Sequence, residues 1–497
     1  MNNNLPLDGC NWRRLLLSGL CILAALIPPC AAASPGLSRT ATRDDITWTF
    51  DKEYPVGYFI TGDPWVVGPV TVVSVSPSPG PVDVAAGAAA VKSRYGATGM
   101  KPDDGRMRNG SMIVLKPGKG QGYDSRLISY SPEMSVAFPC KLETNRTLVS
   151  TVSNETLPVP LLCDTLMWAS EKNGPLALKS ASVLTCLDKE PPADAFRPPY
   201  AGTEKPIYQA KNLHWEILPS LKPAGPVPSW PQFERYFERP WLDHQESWLH
   251  QMTGPNENQV NYGREFSRLT SIASLMLMLE GPKEQKEKLM TGLVQLGIDL
   301  HGLAQEGRRW SADGGHWNGR KWPVLFAGLM LDDPKLKTLP PTVVFSEDQQ
   351  TYYGQGWCGQ DALYQMVWHT GAKPPYEEKQ PGEWDAGDKR SEGYRVVVSG
   401  GLPGTALAVQ WMKAKALWNH DAFFDYYDRW MAAEDPYAAR RGSFPRPNQE
   451  GKSLDAFVNA MWAAHRAGVP QQAGAAANTQ WVWKTGGGGE FVPNTKK

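Results

Sequence analysis

Between residues 44 and 215, apolar and polar positions alternate over short stretches. Ile46, Trp48 and Phe50 are separated by threonines, the two-residue period of a strand with one buried face. Tyr58–Ile60 and Trp65–Val75 flank Gly62-Asp63-Pro64, which reads as a turn. Short apolar pieces follow at Ser111–Leu115, Arg126–Tyr130, Thr147–Val152 and Leu176–Leu184, separated by Gly, Pro, Asn and Asp. A short Ala-rich piece near Val84–Arg94 is the one helical exception. Many short strands punctuated by turn residues predict a β-sandwich-like domain.

Past Pro231 the period lengthens to that of a helix. Pro240–Met252, Asn258–Leu279, Lys283–Ala304, Lys321–Leu331, Gly359–His369, Leu402–Trp418, Asp421–Met431 and Leu454–Ala467 all carry it. Leu289, Leu293, Leu296, Ile298 and Leu300 form one broad apolar stripe. Gly281-Pro282 and Asn419 break the pattern briefly, as connections in αα-hairpins do. Residues 191–231 are punctuated by proline, which removes backbone donors and favours an extended path over a surface. Arg395–Val398 reads as a short edge strand. The expected organisation is a multidomain α+β chain. A β-rich domain spans 44–215, a linker 191–231, a helical domain 232–470, and a tail 471–497 that holds Trp481, Trp483 and a glycine run.

The first 33 residues stand apart. Arg13 and Arg14 precede the apolar run Leu15–Pro29, and Ala31 and Ala33 form a small-residue cleavage motif, so residues 1–33 read as an export signal. That run is too short for a comfortable membrane span. The expected location is periplasmic or secreted, with no stable membrane span. Cys140, Cys163 and Cys186 then enter an oxidising compartment, where Cys140–Cys163 and Cys163–Cys186 are both open as disulfides. No cysteine spacing resembles a zinc site and no HExxH occurs, so neither metal nor cofactor is expected. The chain has 51 basic and 51 acidic residues, which argues against a surface built to grip nucleic acid. Its 20 tryptophans suit either core packing or platforms that stack on sugar rings.

The long connections at Gly302–Arg320, Pro340–Trp357 and Gly371–Gly401 collect aromatic and charged residues, as binding loops do. The densest group is Trp310, Asp313, His316, Trp317, Asn318, Arg320 and Lys321, at the mouth of a helix beginning near Arg320. Orphan N–H groups there favour an anion such as a sugar carboxylate; the competing reading is a structural loop with packed tryptophans. Glu347 and Asp348, followed by Tyr352, Tyr353 and Trp357, supply one acid for a cleft or a helix cap. Trp384, Tyr394 and Arg395 offer a phenol beside a guanidinium. Asn261, Tyr262, Arg264 and Glu265 lie on or before a helix, with 261, 264, 265 and 268 on one face, which surface ion pairing explains almost as well.

An export signal, helical hairpins, aromatic-lined loops and a His/Tyr/Arg/Asn set together resemble secreted polysaccharide lyases and related glycan-degrading enzymes built on an (α/α) toroid. The resemblance covers roughly residues 230–470 and is architectural. It implies a complete or incomplete toroid of helical hairpins after the β-rich domain, although such lyases often carry their sandwich after the helices. It further implies an acidic polysaccharide as partner, Asn318 or Asn261 with Arg320 to neutralise a uronate carboxylate, and His316 and Tyr394 as base and acid for β-elimination. Two other functions compete. One is a glycoside hydrolase drawing a carboxylate pair from Glu347, Asp348, Asp313, Glu265 and Glu392. The other is a non-catalytic glycan binder. The sequence leaves the oligomeric state open.

Overall fold

The computed structural model describes residues 35–84, 101–157, 159–160, 173–174, 177–246, 253–366, 376–432, 452–472, 481–484 and 490–493. Eight strands form one sheet: β1 (Gly36–Arg43), β2 (Ile46–Tyr58), β3 (Pro64–Val67), β4 (Val70–Ser76), β5 (Ser111–Ile113), β6 (Cys140–Leu142), β7 (Arg146–Ser153) and β8 (Leu178–Leu187). Their order is β5-β7-β8-β3-β2-β4-β6, with β1 paired to β2 off this path. Only β3 and β8 run parallel. The first half of β2 pairs with β4 (Trp48 opposite Val75) and its second half with β3 (Val56 opposite Val66). Irregularities between Ser38 and Thr40, Thr49 and Phe50, and Leu178 and Ser180 bend the strands, as bulges do. The result is an open, curled sheet, a half-barrel.

A β-sandwich was the expectation, and one sheet with two buried faces is the finding. Ile46, Trp48, Phe50, Val70, Val72, Leu148 and Leu184 pack together inside the curl. From the opposite face Met112, Val149, Ala181 and Val183 join the core of the helices. The alternation marked one apolar face correctly. The second was hidden because β7 and β8 fill it partly with small polar residues, among them Thr151, Ser180 and Ser182, all buried.

The proline-rich stretch is clamped into the interior at residues 195–202, while residues 203–230 are mostly exposed or half-buried. Arg197 is fully buried and donates to Asp63 beside β3 (2.7 Å) and to both oxygens of Asp299 (2.9 and 2.5 Å) on α3 (Lys283–Gln305). Gln295, one turn earlier on that helix, donates to the Arg197 carbonyl at 2.9 Å. Sheet, linker and helix thus share one buried ionic joint.

The other helices are α1 (Trp230–Phe237), α2 (Gly263–Leu277), α4 (Lys321–Met330), α5 (Pro334–Lys337), α6 (Ser346–Gln350), α7 (Ala386–Ser399), α8 (Pro403–Trp411), α9 (Lys415–Trp418), α10 (Asp421–Met431) and α11 (Ala456–His465). Some pair as hairpins. The stripe Leu289, Met290, Leu293, Val294 and Leu300 on α3 is buried, and α3 packs along α4. Gly297 permits this closeness, since a Cβ there would lie 2.6 Å from that of Ala327. Four expectations need correction. Residues 241–246 are not helical, and 247–252 lie outside the described residues. Ala362–Tyr364 is a strand (β10), antiparallel to β9 (Thr351–Tyr353). Leu402–Trp418 divides into α8 and α9, with Lys413 at φ 54° between them. Arg395–Val398 lies inside α7, whose start is fixed by a reciprocal cap between Asp385 and Asp388, so the expected loop 371–401 is largely helix. Strands β11 (Trp481–Lys484) and β12 (Glu490–Pro493) pair in the tail. Cys163, and the Ala-rich piece from residue 85 onward, lie outside the described residues; Cys140 and Cys186 are free thiols, and the Cys358 thiol donates to the Gln360 side chain at 2.8 Å. No helix among the described residues is long and apolar enough to cross a membrane.

Candidate functional site

The segment joining α3 to α4 carries the densest group of nominated residues, and its flanks and its middle behave differently. Both flanks, Arg308–Trp310 and Trp317–Arg320, are sewn into the core. Arg320 is fully buried; it donates to both oxygens of Asp243 (3.0 and 3.2 Å) and to the carbonyls of His316 (3.1 Å) and Asn318 (2.8 Å). Its guanidinium also lies 3.5 Å from the centre of the Phe266 ring. Asp243 receives the Trp310 indole N–H as well, at 2.7 Å, while Trp310 stacks on Phe345 (5.5 Å, 7°). Buried Trp317 is covered by Arg308, 4.3 Å from its ring centre. Asn318 donates to Gln350 at 2.8 Å. Lys321 holds Asp348 (2.6 and 2.8 Å) and the Trp418 carbonyl (2.6 Å).

The charged or amide groups of Arg320, Asn318, Lys321 and Asp348 are thus buried and bonded to protein partners. Trp310 and Trp317 are likewise core residues and not sugar platforms.

The middle of the same segment, residues 311–316, reaches the surface. Asp313 and His316 are half-buried and close a tight turn, with the His316 N–H donating to the Asp313 carbonyl at 3.1 Å. Gly314 (φ 57°) and Gly315 lie between them. A Cβ on Gly314 would stand 2.5 Å from the ring of Tyr394, and one on Gly315 would stand 2.5 Å from the hydroxyl of Tyr262. Glycine is needed at both, because two aromatic rings press against the turn. Gln350 holds the turn from below, donating to the Gly314 carbonyl at 2.6 Å. The His316 ring meets that of Tyr262 edge-on, 5.1 Å between centres. Tyr394, half-buried on α7, completes the corner, and half-buried Asn261 directly precedes Tyr262. His316 and Tyr394 thus both border the Gly314-Gly315 turn.

The electrostatics of this corner favour protonated phenols. Burial raises the pKa of Tyr394; nearby Asp313 adds to the effect and exposed Arg390, one turn earlier on α7, opposes it. Burial also holds the Tyr262 phenol well above its ordinary value. Beneath the segment, Glu347 is fully buried and accepts the Gly319 N–H at 2.9 Å; its second oxygen has no hydrogen-bond partner. Burial pushes its carboxyl up to about 7, assisted by the neighbouring Asp348 charge.

The remaining nominated residues divide similarly. Arg264 and Glu265 form a buried ion pair at the start of α2. Arg395 is buried between Glu392 (2.9 Å) and Glu377 (3.5 Å), and Arg429 donates to Glu377 at 2.7 Å. Trp384 is buried and donates to the Tyr376 carbonyl at 3.0 Å. Tyr352 is buried, whereas Tyr353, bonded to Asp425, and Trp357 are half-buried near the β9–β10 hairpin.

Sequence reading missed Asp243, Arg308, Gln350, Tyr364 and Glu377. Asp243, the anchor of the whole segment, sits in non-periodic Trp241-Leu242-Asp243-His244, with nothing local to mark it as a hub. Among the described residues no group of three or more His, Cys, Asp and Glu is arranged to hold a metal ion. A crevice bordered by Asp63, Arg197, Arg239 and Asp299 lies at the ionic joint and shares no lining residue with the Tyr262 corner. Comparison with protein-family models, curated proteins and solved structures gives no match.

Proposed function

We propose that this chain is a secreted or periplasmic polysaccharide lyase that cleaves a uronate-containing glycan by β-elimination, on an incomplete (α/α) toroid of helical hairpins. The observation that carries the reading is the Gly314-Gly315 turn, which sets His316 and Tyr394 around Tyr262 at the protein surface. His316 is the base: it takes the C5 proton, the C–H electron pair becomes the C4–C5 double bond, and the C4–O bond breaks. Tyr394, kept protonated by its surroundings, gives its proton to the departing oxygen. The carboxylate that makes C5 acidic is met by Asn261 and by Arg390, in place of the inward-facing Asn318 and Arg320. No cofactor takes part in this scheme.

Incubation with a panel of acidic and neutral polysaccharides tests it, with the absorbance of the unsaturated product and the reducing ends followed together. Both signals rise with a lyase. One observation favours a second reading: the raised pKa of Glu347 is that of a general acid, as in a glycoside hydrolase. Reducing ends without absorbance would select the hydrolase. Neither signal, with binding retained, would select a non-catalytic glycan binder.

A further inference from the structure

The crevice at the ionic joint gathers unmet hydrogen-bonding groups of a definite kind. The Asp63 carboxylate, 2 % exposed, receives the Arg197 Nε at 2.7 Å and the Thr61 hydroxyl at 3.0 Å, both on Oδ2. Among the described residues its Oδ1 has no hydrogen-bond partner. Gln295, 5 % exposed on α3, gives its amide N–H to the Arg197 carbonyl and leaves Oε1 buried and unmet. Both side chains line the crevice. At the rim, Nη2 of Arg43 donates to the carbonyl of Glu238, another lining residue, at 3.0 Å. The buried Nε of Arg43 makes no hydrogen bond: Asp63 Oδ1 is 3.9 Å away, and the nearer Asp44 oxygen, at 3.2 Å, is out of line.

Two buried acceptors therefore line the crevice and one buried donor stands beside it. The crevice leaves about 10 Å³ to the centre of a water-sized sphere, which is room for one water molecule. Folded proteins leave few buried polar atoms unmet, and a polar gap of 3.9 Å is of the kind that a bridging water closes. The kinds of group decide the guest. A metal or ammonium ion has no lone pair to accept the Arg43 N–H, and a simple anion has no hydrogen for the two oxygens. Charge gives no reason for an ion either. The guanidinium groups of Arg43, Arg197 and Arg239 stand against the carboxylates of Asp63, Glu238 and Asp299. Water both donates and accepts, and three bonds is the usual number for a buried one.

We propose that one water molecule is built into this joint, accepting from Arg43 Nε and donating to Asp63 Oδ1 and Gln295 Oε1. It ties the end of β1 and the turn before β3 to the middle of α3, beside the direct bridge made by Arg197. The site is independent of the proposed chemistry.

Crystals of the wild-type protein soaked in rubidium chloride test it, at a resolution that shows ordered solvent. One density peak should lie at hydrogen-bond distance, about 2.6–3.2 Å, from all three atoms and carry no anomalous signal. No peak, a peak that misses any of the three atoms, or a rubidium signal overturns the proposal. Denaturant titration of Arg43→Lys, Gln295→Met and the double variant tests the bridge in solution. Lysine keeps the charge without the guanidinium fork, and methionine keeps the length of the chain without the amide. Once the first change has loosened the water, the second has less to lose. The double variant's fold loss in folding constant should fall short of the product of the single losses by about threefold or more. Arg43 and Gln295 share no direct hydrogen bond, so a loss equal to that product overturns the bridge.

Discussion

The flanks and the middle of the segment between α3 and α4 contain similar residues and have opposite fates. At both flanks Arg308, Trp310 and Arg320 converge on the Asp243 carboxylate and on backbone carbonyls, all of them buried. Between them Asp313 and His316 are half-buried, and a Gly-Gly turn lies on the phenols of Tyr262 and Tyr394. The first region uses its charges to fix the chain. The second is held between the two parts of the first and brings a histidine and two phenols near the surface. Arginine, asparagine and tryptophan beside a histidine are therefore no guide to a site until their partners are known.

The comparison breaks most readily at Asp243. Asp243→Ala leaves two buried guanidinium groups facing one another and should cost about 3–5 kcal/mol in a denaturant titration. A loss under 1 kcal/mol would mean that the hub does not hold the segment. At the middle turn, His316→Ala and Tyr394→Phe should melt within a few degrees of the wild type. Each should lose turnover by about 10²–10⁴, the usual worth of a positioned acid or base. Parallel losses of stability and turnover would make the corner structural.

Glu347 gives a smaller effect with a definite sign. Its carboxyl is raised from 4.5 to about 7 in the folded chain. Between those values the folded state holds a proton that the unfolded state has released. This contribution to stability is complete at low pH and fades as pH rises through 7, by about 3 kcal/mol in all. Buried His244 acts oppositely between about 4 and 6.5, since burial pushes its imidazole down to about 4. The difference between Glu347→Gln and the wild type isolates the carboxylate: the variant should gain relative stability from pH 5 to pH 8. A difference independent of pH would remove the raised pKa and, with it, the support for a hydrolase.

The order of the fold was legible in the sequence: strands first, helices afterwards, with Asp421–Met431 and the long α3 marked by clean periods. What was not legible depended on partners distant in the chain. Whether β7 and β8 face a second sheet or a helical layer is decided by residues such as Phe266 and Trp310, far from either strand. A run of Arg-Val-Val-Val favours a strand locally and becomes helix because Asp385 and Asp388 cap it. For the candidate site, His316 and Tyr394 were nominated by residue type and loop position, and the structure brings both beside the Gly314-Gly315 turn. The burial of Arg320 was not legible because its mate, Asp243, lies 77 positions away.

The most direct test of the central claim sets Arg320→Ala against His316→Ala in one experiment, measuring melting temperature, and kcat and KM on whichever acidic glycan the polysaccharide panel identifies as a substrate. The account predicts a crossing. Arg320→Ala melts much lower yet keeps its KM when turnover is scaled to folded protein, while His316→Ala melts normally and loses kcat. An Arg320→Ala protein of normal stability with a strongly raised KM, beside an active His316→Ala, would contradict it and return the site to the flank that carries Arg320.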